Sequence, residues 1–155
     1  MRLVALDYGV ARIGMAFCAH KQGAIVPVAT FALANYPNRK SQLDAVAEAI
    51  RIHKADRLIL GMPKSLSGQA SITEAQCVNL AKRLRHRLNL PIHFENEALT
   101  TCQAHWDLEA LGLPKSKHKA MVDQVAACRI LQSFVQNLAS LGEPYLTQTA
   151  FSQTL

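Results

Sequence analysis

Several features are missing from this sequence, and each absence narrows what the chain can be. No stretch approaches the roughly 20 consecutive apolar residues that a membrane-spanning helix requires, so no membrane span or membrane partner is expected. The N-terminus, Met1-Arg2-Leu3-Val4-Ala5-Leu6-Asp7, meets charge too early for a secretory signal peptide. A soluble, cytoplasmic protein is therefore expected. The four cysteines, Cys18, Cys77, Cys102 and Cys128, include no Cys-x-x-Cys pair. They read as small, reduced core residues rather than a disulfide framework. Cys102 and His105 have the i, i+3 spacing of a helical zinc pair, but the second pair of a zinc site is missing. No internal repeat or linker divides the chain, and no serine or cysteine triad is evident.

Negative charge is also scarce: 11 Asp and Glu stand against 17 Lys and Arg, for a net charge of +6. Such a surplus favours an anionic partner. Much of it lies in two clusters, Lys82-Arg83-Leu84-Arg85-His86-Arg87 and Lys115-Ser116-Lys117-His118-Lys119. Either alone reads as readily as plain solvated charge, on a helix face or a loop, as it does as a phosphate-binding patch; together they point towards a phosphate backbone. With 155 residues, half of them apolar, the chain suits one domain with its own core. After Arg129 the only charged residue is Glu143. The expected domain is thus 1–138, followed by a loosely ordered tail over 139–155.

The hydrophobic pattern supplies the fold. Leu3 to Leu6 is a continuous apolar run, as in a strand covered on both faces. Ile13 to Phe17 and Ala24 to Phe31 read as two further strands of an antiparallel meander. Pro27 makes the third of these an edge or bulged strand. From Ser41 the period becomes helical, with Leu43, Val46, Ala47 and Ile50 on one face. Arg57 to Met62 is a buried strand. Ser71-Ile72-Thr73-Glu74 has the form of a capping box opening a helix that turns Cys77, Ala81, Leu84 and Leu88 inwards. Pro91 to Glu95 is a fifth strand. A helix from Thr100 or Thr101 to about Leu111 follows, and a last one from near Lys119 to about Leu138. The order predicts an α/β, ribonuclease H-like fold, a five-stranded mixed sheet flanked by helices.

Four carboxylates, at three places in the chain, stand out on this scaffold. Asp7 ends the first strand before Tyr8-Gly9, where ligands of α/β folds gather; the plainer reading is an aspartate organising a turn. Glu95 and Glu97 end the fifth strand on one side of the chain, and could equally be solvent-facing. Asp123 lies on the buried stripe of the last helix with Ala127, Ile130 and Phe134. A carboxylate there needs a cation, a basic partner or a proton. Asp7, Glu97 and Asp123, with Glu95 as a further ligand, could converge on one or two hard cations, Mg2+ or Mn2+, for metal-assisted phosphodiester cleavage.

These residues carry a family resemblance. Leu6-Asp7-Tyr8-Gly9-Val10-Ala11-Arg12-Ile13-Gly14-Met15-Ala16 resembles the opening motif of the YqgF/RuvX family, Holliday-junction-resolvase-like proteins also described as nucleases of the 16S rRNA precursor. Gly61-Met62-Pro63 with Gly68 resembles its second motif. Glu97, Leu99-Thr100-Thr101 and Ala104 resemble the third, and Lys117 to Ala127 the fourth. The resemblance implies a ribonuclease H fold, with Asp7, Glu97 and Asp123 as catalytic residues. It also implies Arg12 as a loop- or phosphate-positioning group, and 61–68 as the substrate side. Lys64, Lys117 and Lys119 join Arg12 as expected substrate-binding cations. One departure stands in the third motif. Asn96 and Ala98 occupy positions where the family commonly has Asp and Arg.

The resemblance implies an endonuclease acting on structured nucleic acid, either at the 5′ end of the 16S rRNA precursor or at branched DNA. A junction resolvase would further need a symmetric homodimer. The Asn96 and Ala98 departures motivate a second reading, a nucleic-acid-binding or assembly factor with the same fold and little turnover. A sugar-kinase-like phosphotransferase shares the strand-Asp-x-Gly signature, but 155 residues leave no room for its second lobe.

Overall fold

The computed structural model describes residues 1–19, 23–62, 74–96 and 115–141. Strands β1 (Leu3–Tyr8), β2 (Arg12–Cys18) and β3 (Ile25–Ala32) form the expected antiparallel meander. Strand β4 (Arg57–Met62) returns parallel to β1, and β5 (Ile92–Asn96) parallel to β4. The sheet order is β3-β2-β1-β4-β5. Pro27 is accommodated in both of the ways open to it. Strand β3 is an edge, and the register shifts where Met15 pairs with Ala29 but Ala16 pairs with Pro27. Val28 is thereby the extra residue of a bulge.

Helices α1 (Arg39–Ile52) and α2 (Glu74–Arg85) cover one face of the sheet, and α3 (Lys115–Leu141) crosses the other. Helix α1 begins two residues before the expected Ser41, because the Asn38 side chain accepts a hydrogen bond from the Ser41 amide at 2.8 Å. Helix α3 begins earlier still. The cluster Lys115–Lys119 is helical rather than a loop, since lysine is a good helix former and nothing in that run breaks one. Asp123 consequently lies in the third turn, out of reach of the helix dipole, which acts within the first. The helix also continues through Leu141, beyond the expected end at 138. The expected helix over 100–111, the loop 64–70 and residues 142–155 lie outside the described residues.

Two apolar layers hold these elements together. Val4, Leu6, Ile13, Met15, Leu58, Leu60 and Ile92 pack against Leu43, Val46 and Ile50 of α1 and Leu80 and Leu84 of α2. On the other face Leu3, Ala5, Ala16, Cys18 and Ile59 meet Ala127, Ile130, Leu131, Phe134 and Leu138 of α3. Burying one large aliphatic side chain fully is worth about 1.5–3 kcal/mol, so β1, buried on both faces, anchors the domain. Cys18 and Cys77 are buried and Cys128 is half-buried, all three as free thiols. Burial pushes the Cys128 thiol up to about 11, which keeps it protonated and unreactive. Among the described residues no helix is long and apolar enough to cross a membrane.

Candidate active site

Strand alternation puts Leu3, Ala5 and Asp7 on the α3 face, so Asp7 ends a row that is otherwise apolar core. Its neighbours across the sheet follow from the register. Gly14 pairs with Asp7 on one side and with Thr30 beyond. On the other side Leu6 pairs with Leu60, which brings Gly61 level with Asp7, and Gly61 pairs with Glu95. One transverse row therefore reads Thr30, Gly14, Asp7, Gly61, Glu95. Asp7 stands in it between two residues without side chains.

Helix α3 uses the first of these gaps. A Cβ built on Gly14 would fall 2.1 Å from the Asp123 carbonyl oxygen and 2.8 Å from its Cβ. The helix backbone at Asp123 thus lies directly on β2, one strand from Asp7. Any larger residue at position 14 would push it away. The contact is completed by Gln124, whose Nε2 donates to Thr30 Oγ1 at 3.1 Å. Asp123 itself is 15% exposed and Arg12 32% exposed, and Arg12 Nε donates to Asp123 Oδ2 at 2.6 Å. A basic partner, one of the three compensations open to a buried carboxylate, is therefore in place.

The turn between β1 and β2 is held from several directions. The Gly9 amide donates to the Arg12 carbonyl at 2.7 Å and the Leu33 amide to the Ala11 carbonyl at 2.8 Å. Arg39 donates to the Val10 carbonyl at 2.7 Å and to Gln42 Oε1 at 2.6 Å, with its guanidinium 5.4 Å from the centre of the Tyr8 ring. Gln42, fully buried, continues the chain of bonds to the Phe31 carbonyl. Arg12 is thus presented by a braced turn. Sequence reasoning missed Arg39, Gln42 and Gln124 as parts of this support; polar residues on otherwise apolar helix faces were the available signal.

Glu95 behaves differently. It is 7% exposed, and its Oε1 accepts from Ser133 Oγ at 3.0 Å and Asn137 Nδ2 at 2.9 Å. Ser133 lies ten residues beyond Asp123, about 15 Å along the helix axis. Glu95 also sits two strands from Asp7, about 10 Å away. Burial pushes its carboxyl above the ordinary range, against the Ser133 and Asn137 hydrogen bonds that favour the charged form. Its side chain is committed to joining β5 to α3, away from the Asp7–Asp123 corner.

The structure thus pairs Arg12 with Asp123, sets Asp123 over Gly14, the strand partner of Asp7, and holds Glu95 apart. Glu97 and Lys64 lie outside the described residues, as do the side chains of Lys117 and Lys119 in the first turns of α3. Among the described residues no group of three or more His, Cys, Asp or Glu could by itself hold a metal ion. The Asp7 and Asp123 pair nevertheless fits a hard divalent cation, because magnesium takes one or two carboxylates and keeps several waters. The Lys82–Arg87 cluster is not part of this corner. Cys77 near the start of α2 touches the Gly61 carbonyl at the site end of β4, so the helix runs away from the site.

Comparison with known proteins bears on this arrangement. A family model described as RuvX, Holliday junction resolvase, matches residues 1–137. A Methylobacillus flagellatus protein named "Putative pre-16S rRNA nuclease" is 34% identical over 89% of this chain and 92% of its own length. A Lawsonia intracellularis protein of the same name is 32% identical over 90% and 96%. Among solved structures, the fowlpox virus Holliday junction resolvase aligns with a TM-score of 0.55 at 12% identity, covering 89% of this chain and all of that one. T. thermophilus RuvC in complex with a Holliday junction substrate aligns at 0.52 and 13% identity, covering 91% and 97%. At such identities these structures bear on the fold alone, and the fold is that of ribonuclease H.

Proposed function

Because this chain belongs to the RuvX family of Holliday junction resolvases, nucleases that hydrolyse phosphodiester bonds, we propose that it is a divalent-metal-dependent endonuclease. Its proposed substrate is the 5′ region of the 16S rRNA precursor. The observation that carries this reading is the approach of Asp123 to Asp7 across Gly14. They are 116 residues apart in the chain and are joined through the contact of α3 with Gly14. Precursor RNA is preferred over a junction because the relatives of about one-third identity over nearly their whole length carry that name. The two solved junction resolvases, at 12–13% identity, share only the fold.

Asp7 and Asp123 are the proposed ligands of Mg2+ or Mn2+, with Glu97 as the third. A cation held by these residues would supply Lewis-acid activation of a water and charge stabilisation at the leaving 3′ oxygen, for a hydrolysis that gives a 3′ hydroxyl and a 5′ phosphate. Arg12 has two anionic partners to choose between. It neutralises Asp123 in the free protein and would turn to a substrate phosphate when one arrives, since a guanidinium matches either oxygen pair. That exchange would release Asp123 for the cation as substrate binds. Lys64, Lys117 and Lys119 are proposed to hold flanking phosphates. The nuclease domain is taken as 1–138 and its working compartment as the cytoplasm, where precursor RNA is found.

The direct test offers a 16S precursor fragment and a four-way DNA junction to the parent and to Asp7→Asn, in Mg2+ or Mn2+. Cleavage of the RNA by the parent alone is expected. Equal cleavage by Asp7→Asn would remove the site assignment, and cutting only of the junction, by a symmetric dimer, would replace the substrate. Asn96 and Ala98 favour the second reading, a binding or assembly factor; salt-sensitive RNA binding with no turnover in any divalent metal would select it.

A further inference from the structure

The Lys82–Arg87 cluster has no place at the candidate active site, and the structure shows where it goes instead. Helix α1 starts beside that site, where Arg39 bonds the Val10 carbonyl, and ends beside the beginning of β1, where the His53 carbonyl accepts from Arg2. Helix α2 runs the same way. The C-terminal end of α2 is tied to α1: Arg51 Nη2, in the last turn of α1, donates to the Arg87 carbonyl at 2.7 Å, and Arg87 Nε donates to Asp44 Oδ1, two turns back along α1, at 2.7 Å. The C-terminal ends of both helices lie at the opposite end of the sheet from Asp7, about 20 Å away over the length of α1, and on the opposite face from α3.

Arg51, Lys54, Lys82, Arg83, Arg85 and Arg87 all gather there, with Asp44, Glu48 and Asp56 as carboxylates of that end, Asp56 accepting from the Arg2 amide. The two helix C-termini together contribute about one negative charge, so dipole neutralisation accounts for only part of this excess. Arg51 and Arg87 are occupied in holding the helices. Lys54, Lys82 and Arg85 are exposed, and among the described residues none of them has a carboxylate within salt-bridge distance. Lys54 also has φ 52°, a left-handed conformation that closes α1 and that glycine would take without steric cost. A lysine stands where a glycine would serve the backbone better.

We propose that this end of the molecule is a second, sequence-independent binding surface for nucleic-acid phosphates, engaging an element of a large folded RNA distinct from the one that is cut. The inference rests on the nuclease reading and deepens it. A short oligonucleotide at the Asp7 end cannot reach this surface, because 20 Å is about six nucleotide steps at 3.4 Å each even along a straight path. Only long or folded RNA engages both ends. Each lysine or arginine set against a phosphate of a duplex adds about 0.9 to the slope of binding against the logarithm of salt concentration.

The test compares the full chain with the triple variant Lys54→Gln, Lys82→Gln, Arg85→Gln, with a chelator present to prevent cleavage. The probes are a folded RNA of about a hundred nucleotides and a single-stranded RNA of four. For the folded RNA the variant is expected to bind on the order of tenfold more weakly, with a salt slope smaller by about 2–3. Binding of the short RNA, cleavage of a short substrate in Mg2+ and the unfolding midpoint are expected to stay at parental values. Parental affinity and salt slope for the folded RNA would overturn the second surface while leaving the nuclease reading intact. So would a loss confined to vesicles of phosphatidylserine, which assigns the patch to a membrane. A parent that cleaves the short substrate but binds folded RNA no better than the tetranucleotide overturns it too. A parent that neither binds nor cleaves RNA removes the nuclease reading itself.

Discussion

The two faces of the sheet are built from different residues, and the difference separates stability from chemistry. The α1–α2 face carries large aliphatic side chains, Val4, Leu6, Ile13, Met15, Leu58 and Leu60, interleaved with those of the helices. The α3 face keeps Leu3 and Ile59 in its core but also carries Ala5, Ala16, Gly14 and Gly61, and polar groups at one level of it, Thr30, Asp7 and Glu95. Small residues let a helix backbone approach the sheet closely. Close approach delivers Asp123 and Gln124 to fixed partners on the strands. Both faces bury apolar area, but the α3 face gives some of it up at the Asp7 level to place polar atoms.

Substitutions can break this contrast, beginning with the largest effect. Asp7→Asn should lower cleavage by roughly 10^2–10^3-fold, the scale for losing one group of a charge-stabilising site, while denaturant unfolding stays near parental. Leu60→Ala, on the other face, should do the reverse. A loss of about 2–5 kcal/mol in stability is expected, with turnover per folded molecule retained. Gly14→Ala should affect both. Its methyl displaces α3 at Asp123, costing about 3 kcal/mol as overpacking, and it carries activity down with it. A Gly14→Ala protein with parental activity would mean that α3 is not set by that contact.

Arg12→Ala should have a smaller, divided effect. The Michaelis constant for RNA should rise roughly tenfold, as expected for a lost charged hydrogen bond. Mn2+ titrated calorimetrically into the RNA-free variant should bind more tightly than to the parent, because the competing cation on Asp123 is gone. Equal or weaker Mn2+ binding would remove the proposed exchange. The smallest effect should come from Glu95. Its carboxyl titrates higher in the folded state than in the unfolded chain. Its contribution to stability is therefore fully present below the unfolded value and is lost as pH rises through the folded one. Unfolding midpoints from pH 4 to 7 should show a decline in the parent that Glu95→Gln flattens.

Local pattern made much of this legible. Apolar runs bounded by turn residues located the five strands to within two residues, and Pro27 announced the edge and the bulge. The stripe Ala127, Ile130, Phe134 correctly placed Asp123 against the sheet. Helix starts were less legible, because Asn38 capping and the helical tolerance of Lys115–Lys119 compete with the turn signals around them. Glu95 shows a different limit. Alternation gives the face of a strand residue but not the direction its carboxyl takes, and Ser133 and Asn137 supply that direction from a helix 38 residues away or more.

The same division holds for the protein as a whole. Local periodicity and turn chemistry, read from the sequence by itself, determined which residues are buried, which elements they form and that Asp7 and Asp123 need explaining. Which groups meet was decided only by tertiary structure. The Arg12–Asp123 pair spans 111 residues, Asp7 acquires its glycine flanks from two different strands, and two basic clusters alike in sequence fall in different places. Such meetings depend on strand order, register and the line along which α3 crosses the sheet. Those are properties of the packed whole, and no local period encodes them.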